Sequence, residues 1–367
     1  MIKSVKIRLK PTKNQQKKLW RSAGVARFAY NWALEKQKQN YQNSGKFIKN
    51  GDLRKEFTVF KKQDKNLWLY ETSNNVAKQA IKDVDVAFKN FFNKKSRFPK
   101  FKSKKKSKPS FYNDNVKLRF KKDSFLLEKI GWIKCSEPWR IYSDEFYNPR
   151  VSYDGKYWYI SVGQNYEPVQ EELTKESLGI SFLPSKLAYV SNGMNFDSID
   201  NFAKVKKLNK KITRLKKSIV RKEKNINIKS FKNINKQTKK LNIVTRKLIN
   251  FKKDLIYKVI SMVVKTKPSR IVIQSLNIKH IKRNSMLHKS IKSQNVYNFK
   301  RILEYKCKLA NIEFVESVDD PKIHTNTCYV CGNYQNSENI KIFKCEECGN
   351  RIDKISQSAI NLSISNW

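Results

Sequence analysis

Residues 178–193, LGISFLPSKLAYVSNG, contain two short apolar runs on either side of a turn. A polar Ser191-Asn192-Gly193 stop follows the second run. Short apolar runs that flank a turn are typical of a β-hairpin whose strands are buried in a sheet. The stretch contains neither Asp nor Glu. We therefore expect this hairpin to bring apolar and neutral side chains, but no carboxylate, into the sheet.

The chain is strongly basic, with 79 Lys and Arg against 31 Asp and Glu and a formal net charge of +48. Such a surface repels itself unless a polyanion covers it, so nucleic acid is the predicted partner. The N-terminus lacks an apolar signal core, and no run reaches the ~18 apolar residues that a membrane span needs. We predict a cytoplasmic protein, nucleoid-associated when bound to DNA, with no membrane partner. A length of 367 residues predicts two or three domains.

Four of the six cysteines form two Cys-x-x-Cys pairs, CYVCG at 328–332 and CEECG at 345–349. In a reducing compartment this pattern predicts a zinc ribbon with one tetrahedral, structural Zn²⁺, and the glycine after each pair relieves a tight turn. A redox dithiol is the weaker alternative, because that chemistry needs one pair rather than two. The predicted ligands are Cys328, Cys331, Cys345 and Cys348.

Hydrophobic periodicity predicts the elements of the N-terminal half. Residues 2–10 alternate as a strand that offers Ile2, Val5, Ile7 and Leu9 to a core. Thr12 and Gln15 resemble a capping box ahead of a helix. A second helix is predicted over 74–92, with an apolar stripe, and residues 115–165 return to β-type patterns. The stripe consists of Val76, Ala80, Val84, Phe88 and Phe91.

The C-terminal half has a different pattern. Residues 203–253 carry a single acid, Glu223, and two apolar series at alternating steps of three and four, which predicts a basic helical hairpin. A buried strand is predicted at 269–277, a helix at about 294–311 and a strand at 312–318. The two series are Val205, Leu208, Ile212, Leu215 and Ile219, and Leu241, Val244, Leu248, Phe251 and Leu255.

Two groups of polar residues are candidates for nucleic-acid contacts. The stretch KKSRFPKFKSKKKSK at 94–108 has no acid and includes Phe98 and Phe101, which suits a groove that follows a phosphate backbone, although a solvated basic linker has the same composition. The helix at 74–92 offers amide and Lys side chains that can address base edges of a flanking duplex motif, although ordinary surface positions look the same. The candidates are Lys95, Arg97, Lys100, Lys102 and Lys104 in the first group, and Asn75, Lys78, Gln79 and Lys82 in the second.

The chain resembles the TnpB family of transposon-encoded RNA-guided nucleases, which are related to the compact type V CRISPR effectors. The resemblance runs nearly end to end and keeps the order of the family's blocks. The matching blocks are KIRLKPTKNQQKKL (6–19), ARFAYNWAL (26–34), AFKNFF (87–92), RFPKFKSK (97–104), the stretch at 178–193, RIVIQSLNIKHI (270–281), VDDPKIHTNTCYVCG (318–332) and CEECGNRIDKISQSAINL (345–362).

The resemblance implies a multidomain α/β architecture, in which a strand-rich wedge module with an inserted helical recognition module precedes a RuvC-like (RNase H) fold. The RuvC-like part carries an inserted helical hairpin and the zinc ribbon. The implied bounds are 1–11 and 94–170 for the wedge, 12–93 for the recognition module, 171–327 and 349–367 for the RuvC-like part, 203–260 for the hairpin and 328–348 for the ribbon. The implied partners are a guide RNA and a double-stranded DNA target with a flanking motif.

The family's three acidic ligands for divalent metal fall on neutral residues in this chain. The Asp of a Gly-Ile-Asp-Leu-Gly-like strand is replaced by Ser181, and Leu183 stands at the following Gly position. The Glu of an Ile-Val-Ile-Glu-like strand is replaced by Gln274, and the third acid by Ile355. A different register would retain Asp353, but one carboxylate does not hold two metals. We therefore predict no catalytic Mg²⁺ and no nuclease activity.

Three functions follow as alternatives. The first is a nuclease-dead, RNA-guided DNA-binding protein that represses transcription by R-loop formation, as in the TnpB-derived repressors called TldR proteins. The second is an active RuvC-type endonuclease with displaced ligands such as Asp353, Asp197 or Glu316. The third is a decayed transposon remnant. The three histidines, His280, His288 and His324, show no metal-ligand pairing that would support an unrelated nuclease site.

Overall fold

The computed structural model describes residues 1–104, 107–168, 172–182, 186–224, 228–274, 295–317, 321–336 and 341–364. It is a mixed α/β chain of two compact units, Met1–Glu167 and Pro168–Trp367. Within the described ranges, no helix is both long enough and apolar enough to cross a bilayer.

The first unit contains two antiparallel sheets. The larger has the strand order β1-β7-β6-β2 and the smaller the order β3-β4-β5. The predicted β-rich region at 115–165 is confirmed by β3 to β7. The strands are β1 (Ile2–Leu9), β2 (Ser110–Tyr112), β3 (Arg119–Lys121), β4 (Ser124–Leu127), β5 (Gly131–Lys134), β6 (Tyr147–Tyr153) and β7 (Trp158–Asn165).

Strand β1 confirms the predicted alternation with one correction. Val5, Ile7 and Leu9 are buried, while Ile2 is 54% exposed. Successive side chains on a strand point to opposite faces, so an even-numbered residue cannot share the face of the three odd-numbered ones. The prediction that Ile2 joins the core was therefore wrong.

The helices of the first unit are α1 (Lys13–Ser44), α2 (Asn50–Lys61) and α3 (Asn74–Phe92). The capping box is confirmed, because the Thr12 hydroxyl accepts from the Gln15 amide and the Gln15 side chain accepts from the Thr12 amide. The predicted second helix has the bounds of α3, and four residues of its stripe are buried, while Phe91 is half-buried. The stripe joins the core shared with β1, β7 and α1.

The second unit is built on a five-stranded sheet of order β10-β9-β8-β11-β12. Strands β8, β9 and β10 are antiparallel neighbours, whereas β11 runs parallel to both β8 and β12. The predicted hairpin at 178–193 is confirmed by the pairing of β8 with β9. The strands are β8 (Ser177–Ser181), β9 (Lys186–Val190), β10 (Asn195–Asp197), β11 (Arg270–Gln274) and β12 (Glu313–Ser317).

The long helices α4 (Ala203–Lys224) and α5 (Ile228–Lys265) form the predicted basic hairpin. Helix α6 (Val296–Ala310) and α5 pack Phe299 and Ile260 onto a sheet face that carries Ile180 and Ile273. A short helix, α7 (Pro321–Asn326), precedes the cysteine pairs. Strands β13 (Ile342–Lys344) and β14 (Arg351–Asp353) pair with each other, and β14 leads directly into α8 (Lys354–Ile364).

Helix α8 lies on the opposite face of the sheet and approaches β8 very closely. A Cβ atom at Gly179 would lie 1.9 Å from the carbonyl oxygen of Ala359 and 2.7 Å from the amide nitrogen of Ser363. Both are backbone atoms, which a side-chain rotation cannot move away. Only glycine fits at this position.

We expect Gly179→Ala to lower the free energy of unfolding by about 3 kcal/mol or more, because the helix must lift off the strand. Gly24→Ala is the matched control, since Gly24 lies inside α1 and a Cβ atom added there would meet no neighbouring group within 4 Å. That change should be neutral or stabilise by up to about 1 kcal/mol. Urea unfolding followed by circular dichroism distinguishes the two variants, and equal effects would contradict this account of the packing.

Candidate functional site

The four predicted zinc ligands come together at one point. The Sγ atoms of Cys328 and Cys348 are 3.6 Å apart, and those of Cys331 and Cys345 are 3.5 Å apart. All four sulfur atoms lie within 4.8 Å of one another. A Zn–S bond of about 2.3 Å in a tetrahedron places neighbouring sulfurs about 3.8 Å apart. The four thiols therefore fit one zinc ion, and four thiolates leave no open position for a water.

The two Cys-x-x-Cys turns repeat the same backbone geometry. Gly332 and Gly349 have φ values of +76° and +70°, in the left-handed region. Their amides donate to the carbonyls of Cys328 and Cys345 at 2.9 and 3.1 Å. This confirms the expectation that glycine closes each turn. Burial alone would raise the pKa of Cys328, but hydrogen bonds from the backbone around the turn lower it to about 6. A backbone hydrogen bond lowers the pKa of Cys331, but burial and the other cysteines outweigh it and raise that pKa.

Little apolar packing supports this part of the chain. Its buried core consists of Cys328, Cys345 and Phe343, with Ile352 packed against them. So small a core contributes little hydrophobic stabilisation, and a metal ion held by the four cysteines would supply most of the folding free energy here.

Two of the three predicted positions of lost acids lie at the carboxyl ends of adjacent strands. Ser181 is the last residue of β8, and Gln274 is the last residue of β11. Each directly follows a residue of the paired set Ile180 and Ile273, so the two are neighbours across the strands. Gln274 is in register with Ser317 at the end of β12. Because Gly179 faces α8 and strands alternate, Ser181, Gln274 and Ser317 share the face that carries α8. All three are buried, at 4%, 7% and 1% exposure. We call these three residues the neutral row.

Ile355 lies in the first turn of α8 and is half-buried. It therefore belongs to the helix that covers the face of the neutral row. Ser317 was not among the sequence candidates, and no local motif marks it. His324 accompanies it: its Nε2 lies 2.9 Å from the Ser317 hydroxyl, and both residues are buried.

The carboxylates proposed as displaced ligands do not gather at the neutral row. Glu316 is in register with Ile273, so its side chain points to the opposite face, where it pairs with Lys300 of α6. Asp197 lies on β10, two strands from β8, with its side chain 67% exposed and 2.7 Å from Lys186 Nζ. Asp353 is exposed at the end of β14. Among the described residues, the four cysteines are the one group of three or more metal-binding side chains that converge. Leu183, His280 and His288 lie outside the described residues.

The basic stretch at 94–104 is docked onto the first unit rather than extended as a free linker. Asn31 of α1 makes two hydrogen bonds with the backbone of Lys102, at 2.9 and 2.8 Å. The Phe98 ring packs edge-on against Phe88 and Phe91 of α3. The docking leaves most of the candidate cations exposed, and these are Lys95, Arg97, Lys100 and Lys104.

Lys102 is the exception among these five candidates. It is half-buried, and its Nζ lies 3.6 Å from the centre of the Tyr30 ring. Burial lowers its pKa, although the neighbouring Asp83 carboxylate opposes that shift. The structure therefore places Lys102 inside the unit, in contrast to its four exposed neighbours.

The four candidates on α3 divide into two pairs. Lys78 and Lys82 are exposed. Gln79 donates to Asp83 at 3.0 Å, and Asn75 donates to Asp114 at 2.7 Å. The amide side chains thus take part in hydrogen bonds within the unit, while the two lysines extend from its surface. The role of all four in reading a DNA motif stays a prediction.

Sequence analysis missed Arg150 of β6, which forms two hydrogen bonds of 2.8 Å with the Asp83 carboxylate. The pair borders a cavity of about 160 Å³ that Lys102 and Tyr112 also line. Arg150 lies within a strand, and no sequence motif around it indicates a partner. Only the tertiary structure brings it to Asp83.

Comparison with known proteins identifies the chain's relatives. Residues 1–46 match a helix-turn-helix domain of the IS605 OrfB type, and residues 297–362 match a Cas12f1-like TNB domain. The protein named "Putative RNA-guided DNA endonuclease InsQ" of Escherichia coli K12 is 28% identical over 323 residues, which are 83% of this chain and 77% of that protein. The two matched segments and this relative make the chain similar to proteins of the TnpB/IS605 OrfB type. In this chain the residues matched by the helix-turn-helix domain form strand β1 and the single long helix α1.

Three further comparisons give similar proteins. A "Putative RNA-guided DNA endonuclease" of Streptomyces pristinaespiralis is 24% identical over 374 residues, covering 98% of this chain and 88% of that protein. The virulence protein VsdF of Salmonella dublin is 35% identical over 113 residues, covering 28% of this chain and 95% of that protein. The mini-RNA-guided endonuclease CRISPR-Cas_phi3 shares the fold, with a TM-score of 0.56 at 9% identity over 99% of this chain and 92% of that one.

We expect the purified protein to carry one zinc ion per chain and Cys345→Ser to lose it, because a three-thiolate site binds much more weakly. Cys135→Ala is the matched control, since that buried thiol lies in the first unit and outside the cluster. Zinc is measured by inductively coupled plasma mass spectrometry. Retention of zinc by Cys345→Ser, or loss of zinc from Cys135→Ala, would contradict the assignment.

The Asp83–Arg150 pair predicts a pH dependence. Burial alone would raise the pKa of Asp83, but hydrogen bonds from Arg150 and Gln79 lower it below its ordinary value. A lowered carboxyl pKa stabilises the fold above the unfolded-state value of about 3.9, and this stabilisation is lost as pH falls through the folded-state value. We expect Asp83→Asn to lose about 2 kcal/mol at neutral pH and to approach the wild type below about pH 4.

The control for this prediction is Asp52→Asn, because Asp52 forms an exposed pair with Lys55 at 3.6 Å on one helix. Exposed pairs contribute about 0–1 kcal/mol, so little change is expected there at any pH. Denaturant unfolding at a series of pH values measures both variants. A constant difference between wild type and Asp83→Asn down to acidic pH would refute the role of the Asp83 charge.

Proposed function

We propose that this protein is an RNA-guided, sequence-specific DNA-binding protein that does not cut its target and represses transcription by holding an R-loop beside a short flanking motif. The observation that carries this proposal is the neutral row. At the strand ends where the resemblance places two of the family's acids, the chain has the buried, uncharged Ser181 and Gln274, and the buried Ser317 lies in register with Gln274.

The RuvC-like assignment of the second unit is part of the proposal. Its support is the sheet of order β10-β9-β8-β11-β12, with a three-stranded meander followed by two parallel strands. In such a fold, cleavage of DNA needs hard oxygen ligands that hold divalent metal ions against the attacking and leaving oxygens. A hydroxyl, an amide and the side chain of Ile355 do not supply that charge.

Binding does not depend on those carboxylates. In RNA-guided recognition, base pairing supplies sequence specificity, and protein contacts to backbone and flanking motif nucleate the pairing. The net charge of +48 and the exposed Lys95, Arg97, Lys100 and Lys104 suit contacts to phosphates. Guide RNA and duplex DNA are therefore the proposed partners, and zinc is the proposed structural ion.

We expect the protein purified from its own cells to carry a discrete RNA with a short variable end. Immunoprecipitation from the same cells should recover sharp, uncut genomic sites that match this end beside a common motif. Heterogeneous RNA without site enrichment would refute RNA-guided binding. Mg²⁺-dependent cutting of a guide-matched plasmid by the purified complex would refute the loss of nuclease activity.

The matched variant is the triple substitution Ser181→Asp, Gln274→Glu and Ile355→Asp, assayed on the same plasmid with the same RNA. It places carboxylates on the two strand ends and in the first turn of α8. Mg²⁺-dependent nicking by this variant alone would assign the loss of cutting to these positions. Target binding without nicking would assign that loss to another part of the unit.

A further inference from the structure

Helix α8 contacts two different neighbours with two different faces. One face rests on β8, where the backbone atoms of Ala359 and Ser363 exclude any side chain from Gly179. The other face carries three polar residues spaced at i, i+3 and i+7, which lie on one side of a helix. These are Lys354, Gln357 and Asn361, and we call them the polar face of α8.

The polar face contacts the end of α7. Gln357 Nε2 donates to the carbonyl of Thr325 at 3.1 Å. Asn361 Nδ2 donates to the carbonyls of His324 and Thr327, at 2.9 and 2.7 Å. Gln357 is fully buried and Asn361 is 6% exposed. Carbonyls at the end of a helix have no partner within that helix, so these amides satisfy groups that burial would otherwise leave unpaired.

Helix α8 is connected to the chain both before the first cysteine pair and after the second. The carbonyls belong to residues 324–327, and Cys328 is the next residue along the chain. At the other end, β14 runs without a break into α8, and the Lys354 amide donates to the carbonyl of Lys341 at 3.0 Å. Metal binding by the cysteines would therefore hold two parts of the chain that adjoin α8. One is the end of α7, which accepts hydrogen bonds from α8, and the other is β14, which leads into α8.

The core of the second unit lies on the other face of the sheet. Its buried residues come from β8, β9 and β11 and from helices such as α5 and α6, and none of those described belongs to α8. The seat of α8 can consequently be lost while this core remains folded. Differences of this kind between parts of one domain are measured by hydrogen exchange.

We propose that the four-cysteine site is a conformational lock on α8: metal binding orders the end of α7, and Gln357 and Asn361 transmit this order to α8, which then stays seated on β8 beside the neutral row. Gln357 and Asn361 are positioning residues in this proposal. In this proposal the metal stabilises the cysteine turns and also determines whether α8 stays packed against β8 beside the neutral row. The lock does not depend on whether the protein cuts DNA or on which RNA it carries.

Hydrogen exchange of the full-length, zinc-loaded protein tests the lock. In the wild type, addition of a strong zinc chelator should raise exchange about tenfold or more both in 328–353 and in α8, with α5 and α6 unchanged. Gln357→Met and Asn361→Leu keep the side-chain volume but remove the N–H donors. Each should retain one zinc per chain, exchange rapidly in α8 with zinc still bound, and respond to the chelator only in 328–353.

Ser363→Ala is the matched control, because its hydroxyl donates to the carbonyl of Ile360 within α8 itself at 2.7 Å. This variant should follow the wild type with and without chelator. Unchanged exchange of α8 in the chelated wild type would overturn the lock, and so would wild-type behaviour of both amide variants. An equal rise across α5 and α6 would overturn it by showing global unfolding, and loss of zinc from the amide variants would overturn it by showing that they build the metal site rather than transmit its order.

Discussion

The close approach of α8 to β8 at Gly179 is the constraint on which the geometry of the second unit depends. Because the helix backbone rests directly on this residue, the odd-numbered side of β8 must face α8. The parallel registers then carry this orientation across the sheet, so that Ser181, Gln274 and Ser317 share one face and Glu316 is turned to the other. One missing side chain thus decides which residues can act together at the strand ends.

The chemistry of that edge follows from the side chains it collects. Carboxylates placed together repel one another and repel a phosphate backbone unless cations hold them, whereas hydroxyl and amide groups carry no such penalty. In a chain with a net charge of +48, attraction for a polyanion comes from cations spread over the surface, including the docked stretch at 94–104. The neutral strand ends therefore add no local repulsion to the attraction that the surface cations exert on a polyanion.

The features that could be predicted from the sequence are those determined by neighbours along the chain. The capping box at Thr12, the stripe on α3 and the glycine turns after each cysteine pair depend on a few consecutive residues, and all three are present. The placement of Lys102 and Asn75 could not be predicted in this way, because each takes its partner from a distant part of the chain. Lys102 lies over the Tyr30 ring, and Asn75 donates to Asp114.

The same limit applies to the displaced carboxylates. In the sequence, Glu316 stands close to the strand ends, and only the register of β12 with β11 shows that its side chain points away from Gln274. Ser317, one residue further, takes the position beside Gln274 although nothing in the local sequence distinguishes it. Successive side chains on a strand alternate between the two faces of the sheet. Which face a given residue takes is set by pairing partners that are distant in sequence.

A metal site built from thiolates and one built from carboxylates differ in their effect on a chain. For four thiolates with little apolar core around them, the free energy of metal binding is largely free energy of folding, so in the lock proposed above the loss of a cysteine would cost the order of residues 328–353 and of α8. The strand ends of the neutral row lie on strands that a separate apolar core already holds, and carboxylates placed there without bound cations would add only repulsion. A protein that binds without cutting, as proposed here, can therefore replace its catalytic acids by neutral residues and keep its fold, but it cannot replace its zinc cysteines.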